Sequence, residues 1–212
     1  MICMSILDTS VKIIIICVAA AGLYSGSGMA HKKFTRDVFI YFTTLSVVFC
    51  FAYFLVFIVL DMFGIGGGSL MGFIHGAVIL CVTVTMAVYH LVLIPNLRSR
   101  IENFKIFSLP NLCMHYAVPL LTIAHWVIFS EKGQFTYYYP FLWTVFFLVY
   151  FFAVIIRAKA GACIAGTESK YPYYFIDIDA IGFKKTARNV AALAAVIVAL
   201  GYVLVFVDSL LS

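Results

Sequence analysis

The chain has 212 residues, of which 65% are hydrophobic and 11% charged, and its mean hydropathy is +1.10. A soluble domain carries about 25% charged residues, so this composition excludes a water-soluble globular protein, and it equally excludes an intrinsically disordered one. The formal net charge is +5, but the positive residues lie in segments between apolar runs. That is the pattern of a membrane protein, not of a nucleic-acid surface.

Six apolar runs lie near residues 10–28, 38–60, 71–94, 110–130, 140–160 and 187–210. Each has the length of about 20 residues that a helix needs to cross about 30 Å of hydrocarbon. The predicted fold is all-α: one domain over residues 1–212, a polytopic bundle of six transmembrane helices. The first run has a second reading. Lys12 followed by IIIICVAAAG resembles a signal peptide with a small-residue cleavage site. The small residues through Gly28 carry the stretch to membrane length, which favours a span.

The first connection holds Lys32, Lys33 and Arg36, the third holds Arg98, Arg100 and Lys105, and the fifth holds Arg157, Lys159, Lys170, Lys184, Lys185 and Arg188. The opposite side keeps only Lys12 and Lys132. The positive-inside rule therefore places both termini outside, and the compact chain fits a bacterial inner membrane. Between the second and third runs, GIGGGS at 64–69 reads as a flexible turn without the Lys of a phosphate-binding loop. The long fifth connection contains Tyr171-Pro-Tyr-Tyr-Phe-Ile-Asp-Ile-Asp179, an aromatic segment suited to the headgroup level. The six cysteines have no C-x-x-C spacing and read as small hydrophobes. No metal site and no cofactor are expected.

Polar residues within spans are costly and point to function. Counted from the cytoplasmic end, Thr43 and His115 each lie about five residues in, roughly 8 Å at 1.5 Å per residue. His90 and Arg157 lie in the last turn of their spans at the same end. The expectation is one polar layer built from Thr43, His90, His115 and Arg157. Helical spacing adds Ser46 and Cys50 to the face of Thr43, Thr83 and Met86 to that of His90, and Asn111 and Thr122 to that of His115. His75 and His125 fall outside the layer. Structural alternatives stand beside this. A membrane Thr commonly bonds its own i−4 carbonyl, a membrane His bonds a neighbouring helix, and an Arg at a helix end reaches for the headgroups.

The segments Tyr41-Phe-Thr-Thr-Leu-Ser46, Leu112-Cys-Met-His-Tyr-Ala-Val-Pro119 and Tyr171-Pro-Tyr-Tyr-Phe-Ile-Asp177 resemble those of bacterial six-span "Pr-six-Pr" membrane proteins. These are similar in turn to the androgen-induced and androgen-dependent TFPI-regulating proteins of animals. The animal proteins are threonine hydrolases of fatty acid esters of hydroxy fatty acids, with an essential Thr and His. The resemblance carries those roles to Thr43 and His115. Val47 and His125 stand where the bacterial proteins tend to have Asn and Asp.

The resemblance implies an intramembrane hydrolase of lipid esters. Thr43 is the expected nucleophile and His115 the base that a weak hydroxyl nucleophile requires. The spans show no carboxylate at that depth, so the choice is a Thr–His dyad or a third member from the loop, Asp177 or Asp179. Asn111, His90 or a loop amide are the candidate oxyanion donors, with Ser46 beside them. Arg157 is the candidate for a substrate carboxylate. The expected partner is a membrane lipid or lipid ester, with no nucleic acid. The alternatives are a small-solute or proton transporter, against which the spans show neither paired helix breaks nor the carboxylates of coupled transport, and a non-catalytic scaffold. The sequence leaves the oligomeric state open.

Overall fold

The structure, a computed structural model, describes residues 2–32, 34–65, 68–100, 106–165, 167 and 169–212, with the backbone alone at 2–5, 31 and 100. Lys33 and Lys105 of the basic connections, and Gly66 and Gly67 of the glycine turn, lie outside the described residues.

Six long helices form an all-α polytopic bundle, each long and apolar enough to cross a membrane. They are α1 (Ile2–Gly26), α2 (Phe42–Met62), α3 (Gly68–Ser99), α4 (Leu109–Phe129), α5 (Tyr139–Lys159) and α6 (Phe183–Leu210). Both termini lie at one end, here the terminal end. Segments 27–41, 106–108 and 160–182 lie at the other, the loop end. The glycine turn is shorter than expected, because Gly68 and Ser69 already belong to α3.

α3 is the central helix. Its run His75–Thr85 is buried apart from Thr83, and it packs against α2, α4, α5 and α6. A helix that is apolar all round belongs inside a bundle. α1 sits at the edge, against α2 and α4. Small residues allow the close crossings. A Cβ on Gly76 of α3 would stand 2.2 Å from the Trp143 ring of α5, and one on Gly201 of α6 would stand 2.8 Å from Pro140.

Two of the six helices are interrupted by a π turn. In α3 it spans Tyr89–Leu93 and in α4 it spans Cys113–Ala117. Such turns add a residue to the helix repeat and recur at functional sites. Regular spacing from Thr83 and Met86 puts His90 inside, but the buried positions here are Val84, Thr85 and Tyr89, while His90 is exposed.

At mid-height the bundle is mostly apolar, with two buried polar contacts, Cys50 with Thr122 at 3.3 Å and Thr85 with Ser46 at 3.1 Å. Ile15, Ala19, Val47, Phe54, Val78 and Val82 are each 0% exposed, and they separate a polar loop end from a polar terminal end. Carboxylates do occur in the helices, contrary to the expectation from the sequence. Asp8, Asp61 and Asp208 lie in α1, α2 and α6, all at the terminal end. The sequence boundaries at 10 and 60 cut off the first two. Asp208 is fully buried and accepts a 2.8 Å hydrogen bond from the Phe135 N–H.

Candidate active site at the loop end

α2 begins abruptly. Tyr41 is extended (φ −80°, ψ 131°) and gives the helix no side-chain cap, and the first helical bond runs from Leu45 N–H to the Tyr41 carbonyl. The amides of Phe42, Thr43 and Thr44 therefore have no helical acceptor. The positive end of the helix dipole lies at Thr43, the second residue of the helix.

His115 is delivered by the π turn of α4. Its Nε2 lies 3.4 Å from Thr43 Oγ1. Tyr89, from the π turn of α3, stacks on the imidazole at 3.7 Å with the planes 19° apart, and so holds its orientation. Nδ1 of His115 is buried and short of a well-formed hydrogen bond, with the Asn111 main-chain carbonyl as a polar neighbour.

Both side chains face a cavity of about 520 Å³ that reaches from α1 to the long loop. Asn111 lines it, and among the described residues Asp37 is its one carboxylate. A narrower apolar crevice of about 70 Å³ runs between α2, α3, α5 and α6, walled by side chains such as Val84, Val88, Phe147, Val190 and Leu193. Thr43 and Tyr173 line both spaces. A hydroxyl thus stands where a polar chamber meets a narrow apolar slot.

Tyr173 completes the site. Its hydroxyl lies against the Thr43 side chain and the main-chain groups of Thr43 and Phe42. Burial raises its pKa, with the Thr43 and Phe42 contacts opposing. The phenol therefore keeps its proton at neutral pH. Its ring stacks on Phe175 at 5.3 Å and meets Tyr41 edge-on at 6.0 Å. The sequence marks Tyr173 only as part of an aromatic interfacial segment. Tyr89 was hidden by the phase shift of its π turn.

The remaining sequence candidates do not converge on the chamber. His90 is exposed and shares a 2.9 Å hydrogen bond with the Tyr116 hydroxyl. Ser46 sits one turn along α2 from Thr43, where it donates to the Phe42 carbonyl (2.8 Å) and accepts from Thr85 (3.1 Å). Arg157 is committed to the loop. It donates to the carbonyls of Ala162, Cys163 and Lys170 at 3.0, 2.9 and 3.2 Å, with Asp37 at 4.0 Å. Asp177 caps the short turn Ile178–Ile181 by accepting from Ala180 N–H. Asp179 is exposed and pairs with Lys170 at 3.1 Å, which raises the Lys170 pKa. Neither acid lines the chamber, because the loop folds them into its own structure. Asp37, which was not a candidate, anchors that loop by accepting from Ala165 N–H.

Comparison of the chain with protein-family models, curated proteins and solved structures finds no match.

Proposed function

We propose that this protein hydrolyses lipid esters within the membrane, with Thr43 as nucleophile and His115 as general base. The observation that carries the reading is the 3.4 Å approach of Thr43 Oγ1 to His115 Nε2 at the junction of a polar chamber and an apolar crevice. Resting contacts of this kind are often long and tighten once substrate is bound. The resemblance to the threonine hydrolases points the same way. On that reading, and on the loop charges, the chamber faces the cytoplasm of a bacterial inner membrane.

The acyl chain lies in the crevice and the ester carbonyl reaches Thr43. His115 Nε2 takes the hydroxyl proton as Oγ1 bonds to the carbonyl carbon. The tetrahedral oxyanion is met by the amides at the start of α2, which at rest face the Tyr173 hydroxyl and turn to the oxyanion when it forms, with Tyr173 as a further donor, an arrangement of preorganised dipoles. Collapse breaks the bond to the alcohol, which leaves with the proton from His115, and the acyl group stays on Thr43. Water deprotonated by His115 then releases the fatty acid and restores the hydroxyl. Among the described residues no carboxylate orients the imidazole. The stacked ring of Tyr89 does that work, so the site is a dyad.

The test uses purified protein in micelles and an ester of a hydroxy fatty acid. Thr43→Ala and His115→Ala are each expected to lower kcat/KM by about a thousandfold or more, while Thr43→Ser keeps the hydroxyl and retains turnover. Hydrolysis that persists in both alanine variants overturns the proposal. The transporter reading gains less support, since among the described residues tightly buried Val47, Phe54 and Val82 fill the middle of the bundle between the two polar cavities.

A further inference from the structure

The terminal end holds a second cavity, of about 290 Å³, far from Thr43. Its charged lining, among the described residues, is Asp8, Asp61, Glu131 and Lys12. Lys12 is 1% exposed and donates to Asp8 at 2.8 Å and Asp61 at 2.5 Å, with its Nζ 3.9 Å from the centre of the Phe57 ring. Lys12 offsets one of the two carboxylates it touches, so the trio of buried Lys12, half-buried Asp8 and exposed Asp61 is one positive charge short of neutrality.

Two imidazoles line the same cavity. His125 is 1% exposed and its Nε2 lies 2.8 Å from Asp8 Oδ1. An ionised carboxylate only accepts, so Nε2 carries the proton and Nδ1 of the neutral ring presents a lone pair. That Nδ1 is buried and makes no hydrogen bond. His75 is 5% exposed. Its Nδ1 lies 3.5 Å from Ser130 Oγ, and its Nε2 is buried without a partner. The two rings are 5.8 Å apart. Trp126 also lines the cavity, and its indole N–H is buried without an acceptor. Buried polar atoms are rarely left unpaired, and here three of them border one polar hollow.

What the hollow lacks is therefore specific: one positive charge, an N–H donor for the His125 Nδ1 lone pair, a partner for His75 Nε2, and an oxygen acceptor for the Trp126 N–H. The cavity already holds one cation against an aromatic ring, Lys12 on Phe57, and Phe129 is a further aromatic side chain of its lining. We propose that this cavity binds a 2-oxyethylammonium group, its ammonium lodged between Asp61 and the imidazoles of His75 and His125, and its oxygen toward Trp126. Ethanolamine is the simplest such molecule. The same group heads an ethanolamine phospholipid, and the cavity lies at the terminal end of the spans, between the ends of α1, α2 and α4.

The experiment places the full chain in nanodiscs of phosphatidylglycerol, with or without phosphatidylethanolamine, at fixed neutral pH, and reads the melting temperature against added ethanolamine. Sodium chloride at equal ionic strength and ethylene glycol are the controls. A saturable rise in phosphatidylglycerol discs, absent for both controls, is expected. Asp61→Asn and His75→Leu should each weaken the apparent affinity by about tenfold or more, the scale of one lost charge-assisted hydrogen bond. If discs with phosphatidylethanolamine already melt higher and ethanolamine adds nothing, the lipid is the occupant. If ethanolamine acts equally in both discs, the occupant is the free amine. No saturable rise and no difference between the discs overturns the proposal, as does an equal rise with sodium. Should Asp61→Asn fail to fold, His75→Leu decides alone, since it removes an acceptor without touching Lys12. Wild-type affinity in that variant also overturns the proposal.

Discussion

Lys12→Met tests whether the buried ionic cluster holds the edge helix in place. Methionine fills the same channel without the charge, so packing is conserved while Asp8 and Asp61 lose their shared cation. Breaking a buried pair by removing one partner costs about 3–5 kcal/mol. Asp61 is 42% exposed and rehydrates once freed, whereas Asp8 is 26% exposed and keeps only His125. The low end, about 3 kcal/mol, is therefore expected. For a chain of this size that lowers Tm by about 6–12 °C. The assay is thermal unfolding in detergent, followed by intrinsic fluorescence. The double variant Lys12→Met with Asp61→Asn brings the cluster back to its original charge and should regain about half of the loss. The two positions would then be coupled, as contacting residues are. A Lys12→Met melting curve that overlays the wild type refutes the argument, because a carboxylate as enclosed as Asp8 cannot lose its cation without cost unless water already enters the cluster.

The central crossing and the loop supply two more outcomes. Gly76→Ala should cost about 3 kcal/mol, the upper end for overpacking. The Trp143 ring it would strike is fully buried and is pinned by its Nε1–H to the Phe73 carbonyl at 3.0 Å, so it cannot yield; thermal unfolding measures this. Arg157→Ala should leave the bundle's melting temperature nearly unchanged while residues 160–175 open locally. Loss of its carbonyl contacts, discounted for partial exposure, comes to about 2 kcal/mol, or about thirtyfold faster amide exchange in that loop. Exchange at the wild-type rate would show that the loop is held by other contacts.

The six spans are readable because each apolar run matches membrane thickness, and that signal does not depend on tertiary detail. The approach of Thr43 to His115 follows from depth, since both residues are counted from the same end of the bundle. Depth says nothing of direction around the helix axis. There the reading fails at His90, because the π turn of α3 rotates Tyr89 inward and no residue pattern announces such a turn. Arg157, Asp177 and Asp179 were assigned to the chamber on side and charge alone. Polar groups at a long loop first satisfy the loop itself: Arg157 and Asp177 bond its backbone, and Asp179 pairs with the Lys170 side chain. The terminal cluster was missed for the opposite reason. Asp8 and Lys12 are spaced i, i+4, which marks a shared helix face, but a span drawn to begin at residue 10 divides the pair.

The crevice gives the sharpest test of how substrate lies. Its wall includes Ala194 and Val190 of α6, a helix that does not line the chamber where His115 stands. A phenylalanine at Ala194 projects into the slot without reaching the dyad, and it displaces the distal part of an acyl chain. If about three methylenes lose their burial at about 0.8 kcal/mol each, long-chain esters lose about 2.4 kcal/mol of binding to the transition state. That is about a fiftyfold fall in kcat/KM. Esters whose chain ends before the blocked segment lose nothing. The measurement is kcat/KM for Ala194→Phe across a chain-length series, so the informative quantity is the break in the profile and not the absolute rate. A uniform fall at every length would mean that the substitution damages the bundle. An unchanged profile would move the acyl chain out of the crevice and into the chamber, where Leu23, Leu97 and Met114 offer the remaining apolar wall.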